Sequence, residues 1–445
     1  MKKTFILLVL SCLSLSSFAE IKIIYCKADG SSSTTVSGLK WDSAVSLSRA
    51  RSIANFYNTQ TPAVATQIWM KAGTYDLTAA FSLTYAMNIY GGFTGTETDL
   101  LQRNWVSNQT IINQTGALQV IWGNLELDVL LDGLILQGGN PTGNGACGQI
   151  AAGTTLRNCI IRNNKAVTAG KFSALITMVP VGSTKKITID NCLVVNNETA
   201  IAPSFINIVA GTLIDITNTT IANNLSVANG ANTGAVIAQT DGTSTLNLKN
   251  SIIYNNKTAS AAAQSVSGTT MTSGLKVLEN NAWDVVAANA TTLTSNKLLT
   301  ASPFVTATAF VGAANGTTQL LTDINAANFQ LVSGSSCINA GNSSFVTGTT
   351  DLAGTLRVQG SAVDMGAYES STSTAVVNPM NENTLRVLNN QLVVPTQLIG
   401  KSIFVYNTQG QLVQKIEKGT NLIHLNNKGV LIVKVGTDSY KLINQ

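Results

Sequence analysis

Asn158-Cys-Ile-Ile-Arg-Asn-Asn164 is followed by Asn191-Cys-Leu-Val-Val-Asn-Asn197, Asn218-Thr-Thr-Ile-Ala-Asn-Asn224 and Asn250-Ser-Ile-Ile-Tyr-Asn-Asn256. The leading asparagines lie 33, 27 and 32 residues apart. A weaker copy led by Asp132 precedes them, and another led by Asn280 follows. Self-similarity at this period marks one structural unit stacked on itself, a solenoid.

The columns of the repeat decide which solenoid. Two positions before the leading Asn stand Leu156, Ile189, Ile216 and Leu248; one position before it stand Arg157, Asp190, Thr217 and Lys249. Three positions after it stand Ile161, Val194, Ile221 and Ile253, and then Arg162, Val195, Ala222 and Tyr254. Apolar and mixed columns alternate, the period of strands with one buried face. A helical repeat would space its apolar residues three and four apart. Short strands joined by Gly, Asn and Thr turns predict a right-handed parallel β-helix, with coils about 4.8 Å apart. The column Asn163, Asn196, Asn223 and Asn255 predicts an asparagine ladder at a bend, a structural role in which amides bond to one another and to the turn backbone.

Only 11% of the 445 residues are charged, and Ser, Thr, Asn and Gly abound. That makeup suits a strand-and-turn solenoid; disordered chains carry high charge and few aliphatics. The formal charge is +5, of which Lys2 and Lys3 supply two. With no basic run besides, nucleic acid is not expected as a partner. Met1-Lys-Lys, the apolar run Phe5 to Leu10 and Ser17-Phe18-Ala19 predict a signal peptide over residues 1–19, cleaved before Glu20. Acylation at Cys12 within Val9-Leu10-Ser11-Cys12 is the alternative, against which the apolar run before it is short. No other stretch holds 18 uninterrupted apolar residues, so no membrane span is predicted.

Cleavage would leave Cys26, Cys147, Cys159, Cys192 and Cys337, an odd number. Cys159 and Cys192 share an inward column, and a spacing of about 5 Å would admit a disulfide. Two stacked buried thiols are the expectation, and no spacing resembles a zinc site.

Residues 42–58 predict an amphipathic helix, with Asp42 as N-cap and an apolar stripe that includes Leu47, Ile53 and Phe56. Such a helix would cap the open end of the solenoid. Beyond it come Ile68-Trp-Met-Lys-Ala-Gly-Thr-Tyr75, Asn88-Ile-Tyr-Gly-Gly-Phe-Thr-Gly-Thr-Glu97 and Arg103. Near the far end come Cys337-Ile-Asn-Ala-Gly341, Asp351-Leu-Ala-Gly354, Arg357 and Asp364-Met-Gly-Ala-Tyr-Glu369. Residues 25 to 370 resemble the secreted right-handed parallel β-helix proteins of Bacteroidetes type, pectin-lyase-like and akin to polymorphic outer-membrane protein repeats. The resemblance implies a fold over residues 20–369 and leaves activity open. Asp351, Arg357, Asp364 and Glu369 are read as a buried charge network that closes the last coil, since interior charges need partners.

Residues 370–377 read as a Ser/Thr-rich linker. Residues 378–445 alternate apolar and polar residues in six or seven short strands, a small β-sandwich. Val405-Tyr-Asn-Thr-Gln-Gly-Gln-Leu-Val413 and Lys428-Gly-Val-Leu-Ile-Val-Lys-Val435 resemble a type IX secretion sorting domain. The family's opening Pro-Asn-Pro is here Asn378-Pro379, and Leu431 stands where its Tyr would be. The resemblance implies the type IX machinery as a partner and a secreted or outer-membrane surface location.

The solenoid contains no His, and the single one, His424, lies near the C-terminus. A Ser/His or Cys/His nucleophile within the solenoid is therefore excluded. Two enzyme chemistries are typical of the β-helix proteins that the chain resembles, and neither needs His: hydrolysis by converging carboxylates, or lyase action by a calcium-held uronate and a basic residue. The candidate residues are Arg157, Lys186, Asp190 and Asp215. Arg157 and Asp190 would be ladder neighbours, and Asp215 would lie about 8 Å from Asp190. One such Asp pair is too few oxygens for calcium, which takes about six to eight. The column Arg157, Asp190, Thr217, Lys249 and Glu279 reads instead as a mixed-charge surface ladder.

The expected function is that of a non-catalytic secreted or cell-surface adhesin, a monomer contacting extracellular glycans or host-surface molecules. No cofactor is expected; calcium enters only under the alternative, a polysaccharide lyase or glycoside hydrolase acting on acidic polysaccharides. A purely structural surface-layer component is the third reading.

Overall fold

The first sheet has ten parallel strands that pair in sequence order, running from Lys22–Ser31 through Thr154–Arg157 and Lys186–Asp190 to Thr292–Thr294. This computed structural model describes residues 21–445 except 229–234, 241, 259–260, 263, 269–274, 286–291, 308–326, 371–384, 389–390, 395–397, 399, 408, 418–421, 428, 436–437 and 445. The expected signal peptide and most of the expected linker therefore lie outside the described residues. The chain divides into two compact units, Met1–Ser371 and Thr372–Gln445.

A second sheet has nine parallel strands from Gly73–Leu77 to Lys297–Leu298, and a third has seven between Phe81–Ser82 and Gln264–Gly268. One coil supplies a strand to each in turn: Thr154–Arg157, then Ile160–Arg162, then Leu175–Met178. The next coil starts at Lys186–Asp190, where Leu156 pairs with Ile189 and Arg157 with Asp190. The result is a right-handed parallel β-helix, the hand that crossovers between parallel strands take. Leu156, Ile189, Ile216 and Leu248 are fully buried, as are Ile161, Val194 and Ile221, so the inward columns stack into one continuous core. Each such side chain contributes roughly 1.5–3 kcal/mol by leaving water.

Sharp bends permit so short a path between sheets. Asn158, Asn191, Asn218, Asn250 and Asn280 all adopt left-handed backbone, with φ from 48° to 54°, at the corner between the first and second sheets. Asn163, Asn196, Asn223 and Asn255 do so at φ 53–54° where the second sheet ends. Asn tolerates this region better than other side-chain-bearing residues because its amide can bond locally. The upstream coil differs from expectation by one position. Asp132 pairs with Arg157, which puts Gly133 (φ 73°) in the leading-Asn column.

A buried asparagine ladder runs one residue beyond the expected column. Asn164 Nδ2 donates to Asn197 Oδ1, Asn197 Nδ2 to Asn224 Oδ1, and Asn224 Nδ2 to Asn256 Oδ1, each at 2.9 Å. The same oxygens accept backbone N–H groups at 3.0–3.2 Å, and the amides reach carbonyls of neighbouring coils. In the expected column, Asn255 donates to Asn223 at 2.8 Å, but the Asn163 amide has no hydrogen-bond partner. That column makes the bend and holds an amide–amide bond, and the next one carries a continuous buried ladder.

At the N-terminal end, helix Leu47–Asn58 buries Leu47, Ala50, Ile53 and Ala54 against Ile24 and Ile68 of the first coils. Its N-cap is Ser46, which accepts from the Arg49 N–H. Asp42 instead belongs to a preceding 3-10 turn, Trp41–Ser43, and Phe56 faces solvent.

Residues beyond the last coil fold back over the outside of the second sheet. Phe304–Thr306 pairs antiparallel with Asn328–Leu331, and Phe304, Phe329, Leu331, Cys337, Leu352, Met365 and Ala367 pack on the outward side chains Leu193, Val195, Ala222 and Ile252. This strap gives the second sheet a second core, so its strands are apolar on both sides.

The C-terminal unit has two antiparallel sheets, one of Arg386–Leu388, Gln391–Val393 and Leu422–His424, and one of Leu412–Ile416, Ile403–Tyr406, Gly429–Val435 and Asp438–Asn444. Leu392, Ile403, Val405, Leu431 and Val433 fill the core between them. His424 is exposed on its strand. Among the described residues no helix is long and apolar enough to cross a membrane.

Candidate functional site

The four candidate residues fall into two separate places. Lys186 Nζ meets Asp215 Oδ2 at 2.7 Å on the outer face of the first sheet, and Asn247 Nδ2 donates to Asp215 Oδ1 at 2.7 Å. Register opposes Asp215 to Thr188, two residues from Asp190 as the spacing predicts. This is a partly exposed ion pair with an amide neighbour.

Asp190 belongs instead to a covered corner, with Arg157 at its edge. The expected surface ladder is only partly on the surface: Asp190 is 3% exposed and Asp132 beside it is fully buried, whereas the side chains of Arg157, Lys249 and Glu279 are 38%, 25% and 23% exposed. Asp132 sits between two arginines, Arg103 at 2.8 Å and Arg157 at 2.6 Å, and accepts from Asn158 Nδ2 at 2.7 Å. Arg103 also stacks on Tyr90 and Trp105, with 5.1 and 4.8 Å to the ring centres. Burial lowers the Arg157 pKa but the Asp132 carboxylate outweighs it, so the net direction is upward.

The strap covers the rest of this corner. Asp190 accepts from Thr347 Oγ at 2.5 Å and from Asn218 Nδ2 at 3.0 Å. Asn191 donates to the Thr350 carbonyl, Asn250 to that of Asn342, and Asn280 to that of Ala340. Lys249 pairs with Glu279 at 2.9 Å beneath the Phe345 ring. The charge column is partly covered, at Asp190 above all, because strap residues 60 or more positions away in sequence lie on it.

The second acidic group does form a buried network, but it seals the flank and not the last coil. Asp351 accepts from the N–H groups of Thr355 and Glu369, Asp364 from those of Asn339 and Ser370, and Glu369 from those of Gln359 and Asp364. Arg357, 2% exposed, donates to the carbonyls of Asp364 and Gly366. Gly366 and Ala367 are tied in turn to Asn250 O and Thr220 Oγ in the middle coils. Burial pushes the Glu369 carboxyl up to about 7, raises Asp351 and lowers Arg357. These carboxylates hold loops; their lone pairs are occupied by backbone N–H groups.

Between the strap and the stretch that follows Arg103 there remains a cavity of about 460 Å³. That volume is within the range of small-ligand sites. Its floor is the outer face of the second sheet, at Ile135, Ile160, Arg162 and Leu193. Trp105, Phe329 and Tyr368 line it with aromatic rings, and Gln109, Asn158, Asn328 and Gln330 add polar groups. Trp105 is held by donating its indole N–H to the Leu352 carbonyl at 3.3 Å. Arg162 donates through Nε to Gln137 Oε1 at 2.9 Å. Among the described residues it makes no ion pair. Burial lowers its pKa.

These groove residues follow no repeat or motif of the sequence. One signal was present: Arg162 is a charge in a column otherwise filled by Val195, Ala222 and Tyr254. Trp105, Phe329 and Tyr368 are brought to it from distant parts of the chain, and no spacing announces that.

Cys159 and Cys192 are buried free thiols, donating to the Leu131 and Leu156 carbonyls. Among the described residues, no three His, Cys, Asp or Glu side chains are placed to hold a metal ion.

No family model and no curated protein matches this sequence. Among solved structures, the chain is similar to pectate lyase Pel9A, at 15% identity over 79% of this chain and 96% of that one, with a TM-score of 0.36. A likeness of that size carries no functional argument; the fold rests on the strand register.

Proposed function

We propose that this protein is a secreted or cell-surface glycan-binding β-helix without catalytic action on its ligand. The observation that supports this reading is the groove itself. Flat aromatic and apolar walls suit the faces of sugar rings, and amide side chains suit their hydroxyls. The acids nearest to it are engaged in structure: Asp132 with two arginines, and Asp351, Asp364 and Glu369 with backbone N–H groups. In this reading the C-terminal unit is the address for type IX export, and the β-helix acts as a monomer that meets glycans of other cells, a host or a matrix.

The alternative is a lyase on acidic polysaccharides that uses Lys186, Asp190 and Asp215 with calcium. Asp190 lies under Thr347 and Asp215 is bonded to Lys186 and Asn247, an arrangement that favours the binding reading. One experiment separates the two. The full chain is incubated with a panel of neutral and acidic polysaccharides, with and without calcium, and both retention and ultraviolet-absorbing unsaturated products are followed. Retention without product is expected. Product that disappears in Asp190→Ala or Asp215→Ala would replace this reading with the lyase.

A further inference from the structure

From the pairing of Arg162 we infer that the groove selects glycans bearing a carboxylate, with the Arg162 guanidinium as the anion anchor. This deepens the glycan-binding reading and rests on it. Arg162 projects from the outer face of the second sheet, where Val195 and Ala222 in the next coils lie fully buried beneath the strap. The strap leaves the groove open at Arg162, which is only half-buried.

A guanidinium taken out of water is stable when it gains a charged partner with matching geometry. Two other arginines of this flank have such compensation. Arg103 and Arg157 share the Asp132 carboxylate, while Arg357 donates through Nη2 to strap carbonyls, keeps Nε and Nη1 unpartnered, and lies sealed under the strap where no ligand reaches it. Arg162 has one neutral amide, and that bond uses Nε. Its two terminal nitrogens can therefore both donate to one planar carboxylate, the fork-to-fork geometry that arginine suits and lysine does not. Trp105 and Tyr368, which also line the groove, supply the apolar surface for the ring that carries the acid group.

The test compares uronate oligosaccharides of galacturonate, glucuronate and mannuronate–guluronate type with their methyl esters. Binding to the full-length protein is measured by calorimetry at low and moderate salt, with inorganic sulfate as a control for anion binding without a sugar. At least one acid form is expected to bind tenfold or more tightly than its ester, and the preference is expected to weaken as salt rises. Arg162→Gln is expected to erase that preference, Arg162→Lys to restore it in part, and Lys186→Gln, on the first sheet, to leave it intact. Melting temperatures near that of the parent protein would show that the variants fold. Equal binding of acid and ester, or an acid preference that survives Arg162→Gln, overturns the anchor and leaves glycan binding standing. Sulfate that binds while no sugar does would mark an anion site unrelated to glycans and overturn both readings. Absence of binding to every saccharide, acid or ester, also overturns both.

Discussion

The inside of the solenoid and the flank beneath the strap use the same coils in opposite ways. Inside, equivalent positions carry equivalent residues: Ile161, Val194, Ile221 and Ile253 stack, and Asn164, Asn197, Asn224 and Asn256 form one hydrogen-bonded file. Each layer repeats its neighbour, so the contacts are close in sequence and similar in energy. On the flank, each coil presents something different: Asp132, Arg157, Asp190, Thr217, Lys249, Glu279. Their partners come from elsewhere, Thr347 on Asp190 and Trp105 on Leu352 being 157 and 247 residues apart. Repetition builds the scaffold, and the non-repeating flank is where a site can be individual.

The comparison predicts that single changes on the flank can cost as much as changes inside. The largest effect is expected from Asp132→Ala, which strands Arg103, 8% exposed, in the covered corner. Removing one partner of a buried pair costs about 3–5 kcal/mol. Chemical denaturation of the full chain should show that loss in the β-helix transition, and a loss below 1 kcal/mol would mean that the corner is hydrated. Next is Asn197→Ala, which leaves the Asn164 amide and backbone N–H without their shared acceptor and removes the donor to Asn224. The Asn164 amide keeps its carbonyl acceptors, but leaving a buried backbone N–H unsatisfied costs about 1–3 kcal/mol. An Asn163→Ala substitution, in the neighbouring column, should cost less, because that amide has no partner to lose.

These contrasts also show what could be read from the sequence. The β-helix, its coil boundaries and its inward columns follow from the repeat, because apolar period and turn residues are local properties. The buried ladder, one residue beyond the expected column, is hard to tell from it because two adjacent asparagines recur together. The first sits at positive φ and turns the chain, while the second points inward, and only the register separates them. Two-sided burial of the second sheet was also written in the sequence. Leu193-Val-Val195 and Ile252-Ile253 are apolar without alternation, as strands covered on both faces are. The surface reading of Asp190 failed because Thr347 reaches it over 157 residues, and no local pattern encodes so distant a cover. The groove was illegible for the same reason, apart from the lone charge of Arg162 in its column.

A smaller effect concerns the strap and pH. Glu369 is pushed up to about 7 from its ordinary 4.5, chiefly by burial. An acid whose pKa is raised in the folded state favours folding when protonated. Its contribution is complete below pH 4.5 and is lost as pH rises through about 7. Proteolytic resistance of the strap should therefore decline between pH 5 and pH 8, and Glu369→Gln should flatten that profile. A strap that grows more resistant across the same interval would contradict the assignment. The smallest effect is expected from Lys186→Ala, since partly exposed ion pairs contribute about 0–1 kcal/mol. Glycan retention by that variant should match the parent protein, whereas loss of retention would move the site to the first sheet.

The most direct test of the central claim is hydrogen–deuterium exchange of the full-length protein with and without a retained acidic oligosaccharide, followed by mass analysis of the recovered sugar. Protection confined to residues 104–109, 160–162 and 327–330, with the oligosaccharide intact, is the predicted result. Protection centred on Lys186 and Asp215, or recovery of a shortened sugar, would contradict it.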